Sequence, residues 1–426
     1  MKSAALALLS LAVTISACGD LRSTSDAAER DRILTELTEI YERGDFWELR
    51  ERLSTQSRLE APRAHLLRAE VAHAFNDPRR SNEHLSRLQS HEQSLSDSLE
   101  LRAAQLRFRN HLRLHQYGNA LEAGRTLLSL PEADSATRDD VENELRAMEA
   151  LADVPAQRVL SRAASRISRL PNGRVPMQIG DSVRGYVLDT GANLSAMMRS
   201  EAEALGLTIR EAGVRVGTST GSSVNADVTV APHLKLGETT IESVVFLVVP
   251  DELLTFGPDF RIPGIIGFPV IDALGEVRFA RGGIVEIPAR VPQRNVNNLA
   301  MDYLTPLVRI RVLEHDAVCE LDTGAYRTSL HLPFLERHRA EVEARGRIDT
   351  FRTAGVGGER TIAGYALDSV RIVMGDTSAV LPSMWVYAES VATGEDVEAD
   401  CRLGVDALNT FDGYLLNFRS MTFLPL

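Results

Sequence analysis

Two copies of one tetrapeptide carry the side chains best suited to chemistry. Asp189-Thr190-Gly191-Ala192 follows the apolar run Tyr186-Val187-Leu188, and Asp322-Thr323-Gly324-Ala325 follows Cys319-Glu320-Leu321. One Asp-Thr-Gly is ordinary turn chemistry, because Asp and Thr bond nearby backbone and Gly accepts positive φ. A matched pair is harder to obtain by chance. Each copy is followed, after a glycine-rich segment and more β-type runs, by an apolar-Gly turn: Ile265-Ile266-Gly267-Phe268 and Arg402-Leu403-Gly404-Val405. Gly267 comes 78 residues after Asp189, and Gly404 comes 82 after Asp322. Two carboxyls brought side by side cannot both ionise cheaply, so they titrate as a unit with one proton between them. In that state one carboxylate can act as general base on a water while the other, protonated, polarises a carbonyl. Such hydrolysis needs neither metal nor cofactor, and no cofactor is expected.

The elements around these residues divide the chain in two. Residues 26–165 contain three glycines and residues 166–426 contain 25. The first stretch reads as helix, with Ile33, Leu37, Ile40 and Tyr41 at three- and four-residue spacings. Breaks fall near Gly44-Asp45, Asn76-Asp77-Pro78 and Gln116-Tyr117-Gly118, a spacing suited to a helix-pair repeat. From residue 166 short β-type runs are broken by glycine, and 291–298 (VPQRNVNN) is polar and without a period. The expected organisation is multidomain: a leader at 1–17, an all-α repeat-like domain at 18–165, and two all-β lobes at 166–290 and 301–426 joined by a linker at 291–300.

The β half resembles the pepsin and retropepsin aspartic proteases over about residues 170–426, each half looking like one retropepsin-type barrel lobe. The resemblance implies that Asp189 and Asp322 are catalytic and meet on a pseudo-two-fold axis, with a peptide or protein as substrate. It implies that Thr190 and Thr323 bond across the axis, that Gly191 and Gly324 let backbone approach the pair, and that the turns at Gly267 and Gly404 pack behind their aspartates. Glycine-rich tips at Gly217-Thr218-Ser219 and around Gly355 and Gly357 sit where the family has flap hairpins; ordinary surface hairpins are the alternative. The family pattern places an Asp after D-T-G-A, where this sequence has Asn193 and Tyr326. Cys319 and Cys401 precede Asp322 and Gly404 by three residues each, and Tyr186 and Gly264 hold the corresponding places in the first lobe. The two cysteines form either a disulfide or two separate buried thiols. YGNALEAGRTLLSLP looks like part of a tetratricopeptide unit, with an irregular helical bundle as the alternative. The helical region is expected to recruit a protein partner or to act as a pro-region.

Lys2 and the apolar run 4–15 read as a signal-peptide core too short to span a bilayer. Ile15-Ser16-Ala17-Cys18 resembles the lipobox of bacterial lipoproteins, which implies a lipid anchor on Cys18 and a place in the cell envelope facing the periplasm. An ordinary secretory signal is the alternative. Net charge is −12 and no strongly basic block stands out, so no nucleic-acid partner is expected. Three cysteines are too few for a structural zinc cluster. His111 and His115 read as a pair one turn apart on a helix, without the glutamate of a metalloprotease motif. Gly217-Thr218-Ser219-Thr220-Gly221 fits the serine-hydrolase elbow, but the residues after it read as strand where that elbow needs a helix.

Overall fold

Aspartates cap three of the helix starts in the N-terminal region. In the computed structural model, Asp45, Asp77 and Asp134 each accept a hydrogen bond from the backbone N–H three residues on, and Pro78 stands in the first turn where its missing N–H costs nothing. The resulting helices are α1 (Val13–Glu42), α2 (Phe46–Thr55), α3 (Pro62–Ala74), α4 (Pro78–Gln89), α5 (Asp97–Arg113), α6 (Tyr117–Ser129) and α7 (Ser135–Leu151). The structure describes residues 13–426 except 57–58, 91–95, 218–222, 257–259, 356–357 and 392–398, with side chains from residue 28 onward apart from 354–355. Residues 1–12 of the expected leader, and the side chain of Cys18, lie outside the described residues. Among the described residues no helix is long and apolar enough to cross a membrane.

The chain then becomes β-rich. The first run is β1 (Arg158–Ser161), β2 (Ser165–Ser168), β3 (Val175–Ile179), β4 (Ser182–Leu188), β5 (Ser195–Met198), α8 (Arg199–Ala204), β6 (Ile209–Gly217), β7 (Ser223–Leu236), β8 (Thr239–Val249), β9 (Gly264–Ile266), α9 (Phe268–Leu274), β10 (Glu276–Ala280) and β11 (Ile284–Ile287). The second is β12 (Leu299–Asp302), β13 (Thr305–Val312), β14 (His315–Leu321), β15 (Ser329–Leu330), α10 (Leu332–Arg345), β16 (Arg347–Gly355), β17 (Gly358–Met374), β18 (Thr377–Tyr387), β19 (Cys401–Leu403), α11 (Val405–Leu408), β20 (Gly413–Asn417) and β21 (Thr422–Pro425). Strand begins at Arg158, inside the stretch read as helical to residue 165. Pro155 removes a helical N–H there, and β1 finds an antiparallel partner in β8.

Six ring strands of the two lobes repeat one another, while the added strands β1 and β12 attach at different places, on β8 and on β13. β8-β5-β9-β4-β3-β7 form a sheet that the β7–β8 pairing closes into a ring. β18-β15-β19-β14-β13-β17 do the same in the second lobe, closed by β17–β18. Closure leaves few free strand edges and surrounds an apolar core. The lobes are not independent bodies, because β20 and β21 leave the second lobe and join β2, β11 and β10 of the first in a common five-stranded sheet. Glu276, fully buried in that sheet, is neutralised by Arg294 at 2.8 Å and Arg278 at 2.9 Å and accepts from Asn417 Nδ2 at 2.9 Å. A buried carboxylate needs such partners, and here they come from both runs.

The helices clamp both lobes. Asn76, just past α3, donates to Asp272 Oδ1 at 2.7 Å and Phe418 O at 2.9 Å, and the buried Arg113 at the end of α5 bonds Asn76 and donates to Tyr303 O at 2.6 Å. Asp45 pairs with Arg309 on β13. Apolar side chains of α5–α7 share one cluster with Val214, Val228 and Leu247 of the first lobe.

Candidate active site

The strands leading to the two aspartates bury alternate residues and end on a buried leucine, Leu188 or Leu321. Each has a short parallel partner: Leu188 pairs with Ile266 on β9, and Leu321 with Leu403 on β19. The Asp189 N–H donates to Ile266 O at 2.9 Å, and the Asp322 N–H to Leu403 O at 3.1 Å. Each glycine turn therefore stands directly behind its own aspartate. A Cβ on Gly267 would lie 2.6 Å from Leu194 O, and one on Gly404 2.6 Å from the Arg327 carbonyl carbon, so neither place admits a side chain.

The two loops interlock through their threonines. Thr190 N–H donates to Thr323 Oγ1 and Thr323 N–H to Thr190 Oγ1, both at 3.0 Å. Each hydroxyl then donates across to the opposite strand, Thr190 to Leu321 O at 2.6 Å and Thr323 to Leu188 O at 2.9 Å. Four bonds related by a pseudo-two-fold axis thus fix the loops face to face. Each aspartate carboxyl then lies against the glycine of the opposite loop. A Cβ on Gly191 would be 2.5 Å from Asp322 Cγ, and one on Gly324 would collide with the Asp189 carboxyl.

Hydrogen bonds orient the carboxyls. Gly191 N–H donates to Asp189 Oδ1 at 2.8 Å, and the Gly324 and Ala325 N–H groups both donate to Asp322 Oδ1 at 2.8 Å. Burial first, and then the charge of Asp322, hold the Asp189 carboxyl well above the usual carboxylate range. A pair in which one member retains its proton into the mildly acidic range can give and take a proton at once.

Two hairpins stand where the glycine-rich tips predict them. β6 and β7 pair out to Gly217 and Ser223, and β16 and β17 out to Gly355 and Gly358. Thr218, Ser219 and Gly357 lie outside the described residues. The first hairpin is braced by α7: Asn143 Nδ2 donates to Arg215 O at 2.8 Å, and Arg215 N–H donates to Asn143 Oδ1 at 2.7 Å.

Residues 175–270 match the family model of aspartyl proteases. That span runs from β3 into α9 and holds Asp189, the first hairpin and Gly267. An aspartyl-protease-family domain therefore occupies part of this chain, preceded by the helical region and followed by a second β lobe of the same strand order. No curated protein matches the chain.

Several features of the protease-like region are not apparent from the motifs alone. Ser195 and Thr328, each six residues past its aspartate, accept the N–H of Gly267 and Gly404 through their hydroxyls at 3.0 Å. Their equal offset was the available signal. Cys319 and Cys401 are register partners on β14 and β19 and are joined by a disulfide. In the first lobe Tyr186 fills that space, and a Cβ on Gly264 would come within 3.0 Å of its ring. Asn193 accepts from Thr305 Oγ1 of the second lobe at 3.3 Å, whereas the Tyr326 side chain is 77 % exposed. Beside Asp322 lies Arg402, its Nε 3.4 Å from Asp322 Oδ2, and nothing in the spacing of the motifs announces it.

The histidine pair read on one helix is corrected. α5 ends at Arg113, and His115 lies beyond it in the left-handed region with φ 53°, so the two rings are not one helical turn apart. His111 Nδ1 lies 2.8 Å from Gln116 Oε1 instead. Among the described residues no group of three or more His, Cys, Asp or Glu is placed to hold a metal ion. After the serine-elbow pattern the described chain resumes as strand β7, not as helix.

Proposed function

We propose that this protein is an aspartic endopeptidase whose water-activating pair is Asp189 and Asp322. The observation that carries the reading is the reciprocal Thr190–Thr323 lock, which holds the two Asp-Thr-Gly loops face to face. In the singly protonated pair the carboxylate takes a proton from a bound water as its oxygen attacks the scissile carbonyl carbon. The protonated partner gives its proton to the carbonyl oxygen. The resulting gem-diol collapses as the nitrogen is protonated, the C–N bond breaks, and the pair returns to its starting state. The hairpins β6–β7 and β16–β17 cover the peptide and exclude bulk water. The proposed address is the bacterial envelope, with a lipid on Cys18, and the helical region is the proposed docking surface for a protein partner; incorporation of labelled palmitate that disappears in Cys18→Ala checks the anchor.

The test is digestion of a peptide library between pH 3 and 9 by wild type, Asp189→Asn and Asp322→Asn. Cleavage by wild type and a loss of at least 1,000-fold in each single variant is the expected result. Equal cleavage by either variant rejects the pair. A second reading, peptide binding without cleavage, is favoured by Tyr326, which replaces the substrate-holding aspartate of the family pattern; a wild type that binds the library but cleaves nothing at any pH selects it.

A further inference from the structure

The pseudo-symmetry around the carboxyl pair is broken by a charge. Behind Asp189, β4 and β9 oppose Val187 to Ile265. Behind Asp322, the equivalent register on β14 and β19 opposes Glu320 to Arg402. An aliphatic pair in one lobe is therefore an ion pair in the other. Arg402 Nε sits 2.9 Å from Glu320 Oε2 and 3.4 Å from Asp322 Oδ2, so one guanidinium is shared between a strand carboxylate and a member of the reactive pair. The backbone adds to the bias, since Asp322 Oδ1 accepts two N–H groups, from Gly324 and Ala325. Donors and a cation on one carboxyl favour charge on that carboxyl.

We propose that Arg402 is a positioning residue that fixes the polarity of the pair, holding the negative charge on Asp322 and the shared proton on Asp189. Resting on the peptidase reading, this assigns the steps: Asp322 takes the proton from the attacking water, and the Asp189 carboxyl donates to the carbonyl oxygen. Asp322 later returns its proton to the departing nitrogen, while the gem-diol gives one back to Asp189.

The charged and titratable groups around this corner are few. Asp189 and Arg402 face Asp322, and Glu320, Tyr387 and His331 face Arg402. Burial, with Arg402 nearby, depresses His331 to about 3, so it stays neutral where the pair works. Burial opposes the charge on Arg402, but Glu320 and Asp322 outweigh it, so the guanidinium remains charged throughout. Glu320 competes with Asp322 for the same Nε, which gives the idea a second handle of opposite sign.

The experiment uses the full chain and the peptide substrate found in the library digest. Arg402→Gln moves the acid limb of the kcat/KM profile up by about one pH unit or more. Arg402→Lys, which keeps the charge but not the planar fork, restores most of the wild-type limb. Glu320→Gln moves the limb down, because it removes both a competing acceptor and a nearby negative charge. In parallel, protein labelled with 13C at aspartate Cγ, with signals assigned from the two Asp→Asn variants, shows at pH 5 a carboxylate shift for Asp322 and a carboxyl shift for Asp189. An acid limb that stays put in Arg402→Gln, or a carboxylate signal on Asp189 with a neutral Asp322, overturns the proposal. A wild type without peptidase activity at any pH removes the peptidase reading, and the 13C shifts of wild type and Arg402→Lys then decide the polarity alone.

Discussion

Thr190 and Thr323 each make two bonds with one hydroxyl, and this economy makes them fragile. Thr190→Val or Thr323→Val keeps the shape but strands the opposite N–H inside the lock. An unsatisfied buried donor costs about 1–3 kcal/mol, and the lost hydroxyl-to-carbonyl bond adds about 1. Each variant should therefore lose about 2–4 kcal/mol in urea unfolding, and cleavage should fall at least tenfold, while Thr323→Ser keeps both bonds and most of each quantity. No bond of the lock joins one hydroxyl to the other, so the double valine variant should cost about the sum of the singles. A clearly smaller cost would show that the first loss already loosens both loops. These threonines were legible in the sequence because each belongs to a repeated tetrapeptide. Ser195 and Thr328 were legible only by counting equal offsets. Arg402 was not legible, because it has no counterpart in the first copy and a repeat reveals only what is repeated.

The same strand register is stabilised differently in the two lobes. In the second lobe a disulfide closes a separation of 82 residues and ties the strand carrying Asp322 to its supporting turn. Loop-closure arguments value such a link at about 4 kcal/mol. In the first lobe Tyr186 lies over Gly264 in the same relation. Transplanting the pair provides a sharp test: Cys319→Tyr with Cys401→Gly should unfold at higher urea concentration than Cys319→Tyr alone, because only the glycine admits the ring. The hairpins differ too. Asn143 of α7 reproduces a backbone pairing with Arg215, so Asn143→Ala frees the β6–β7 hairpin near its tip. Losing two such bonds is worth about 1–2 kcal/mol locally, so amide exchange at Arg215 should speed up by roughly tenfold or more, with KM raised more than kcat is lowered. Unchanged exchange there would mean the hairpin holds itself. Lobes, hairpins and the short helices behind the glycine turns could be read from glycine punctuation and apolar runs. The common five-stranded sheet could not. β20 (GYLLN) is buried along its whole length, so it shows no alternation that names a face or a partner. Ring closure through β3–β7 and β13–β17 is equally silent in sequence, since each pair is far apart along the chain and depends on partners settled by the rest of the lobe.

At the scale of the whole molecule, the helical region is built into the fold of the β part. Arg113 reaches Asn76 of the helices and Tyr303 of the second lobe, and its guanidinium lies 5.3 Å from the Phe268 ring of the first. Buried histidines near the clamp and in the second lobe sit where charge cannot follow. Burial, with Arg113 adding to it, depresses His73 to about 3, and burial lowers His331 to about 3 and His115 to about 4. Each binds a proton in the unfolded chain below about pH 6.5 that the native state refuses, so each subtracts stability as pH falls, by up to about 1.4 kcal/mol per pH unit. Two carboxyls act in the opposite sense. Burial lifts Glu70 to about 7 against the pull of Arg102, and Asp189 is raised by burial and by Asp322. Their protons are held by the native state and released by the unfolded one above about pH 4.5, so their contribution is present in acid and lost as pH rises. Between pH 6.5 and 4.5 the two groups of residues largely offset. Below about 4.5 these two carboxyls are protonated in both states, and the histidines are joined by carboxyls that burial pushes up but their partners hold low, such as Glu276, Asp227 and Asp251, which the unfolded chain protonates first. Urea unfolding followed from pH 7 to 3.5 should therefore show a shallow decline and then a steep one. His73→Gln, which keeps a side chain able to bond Asn110, should flatten the steep part by about 1.4 kcal/mol per pH unit. A steep part left unchanged would remove His73 from this account. On the proposed peptidase reading, in which the carboxyl pair must keep one proton, the acid fall favours a mildly acidic to neutral working range.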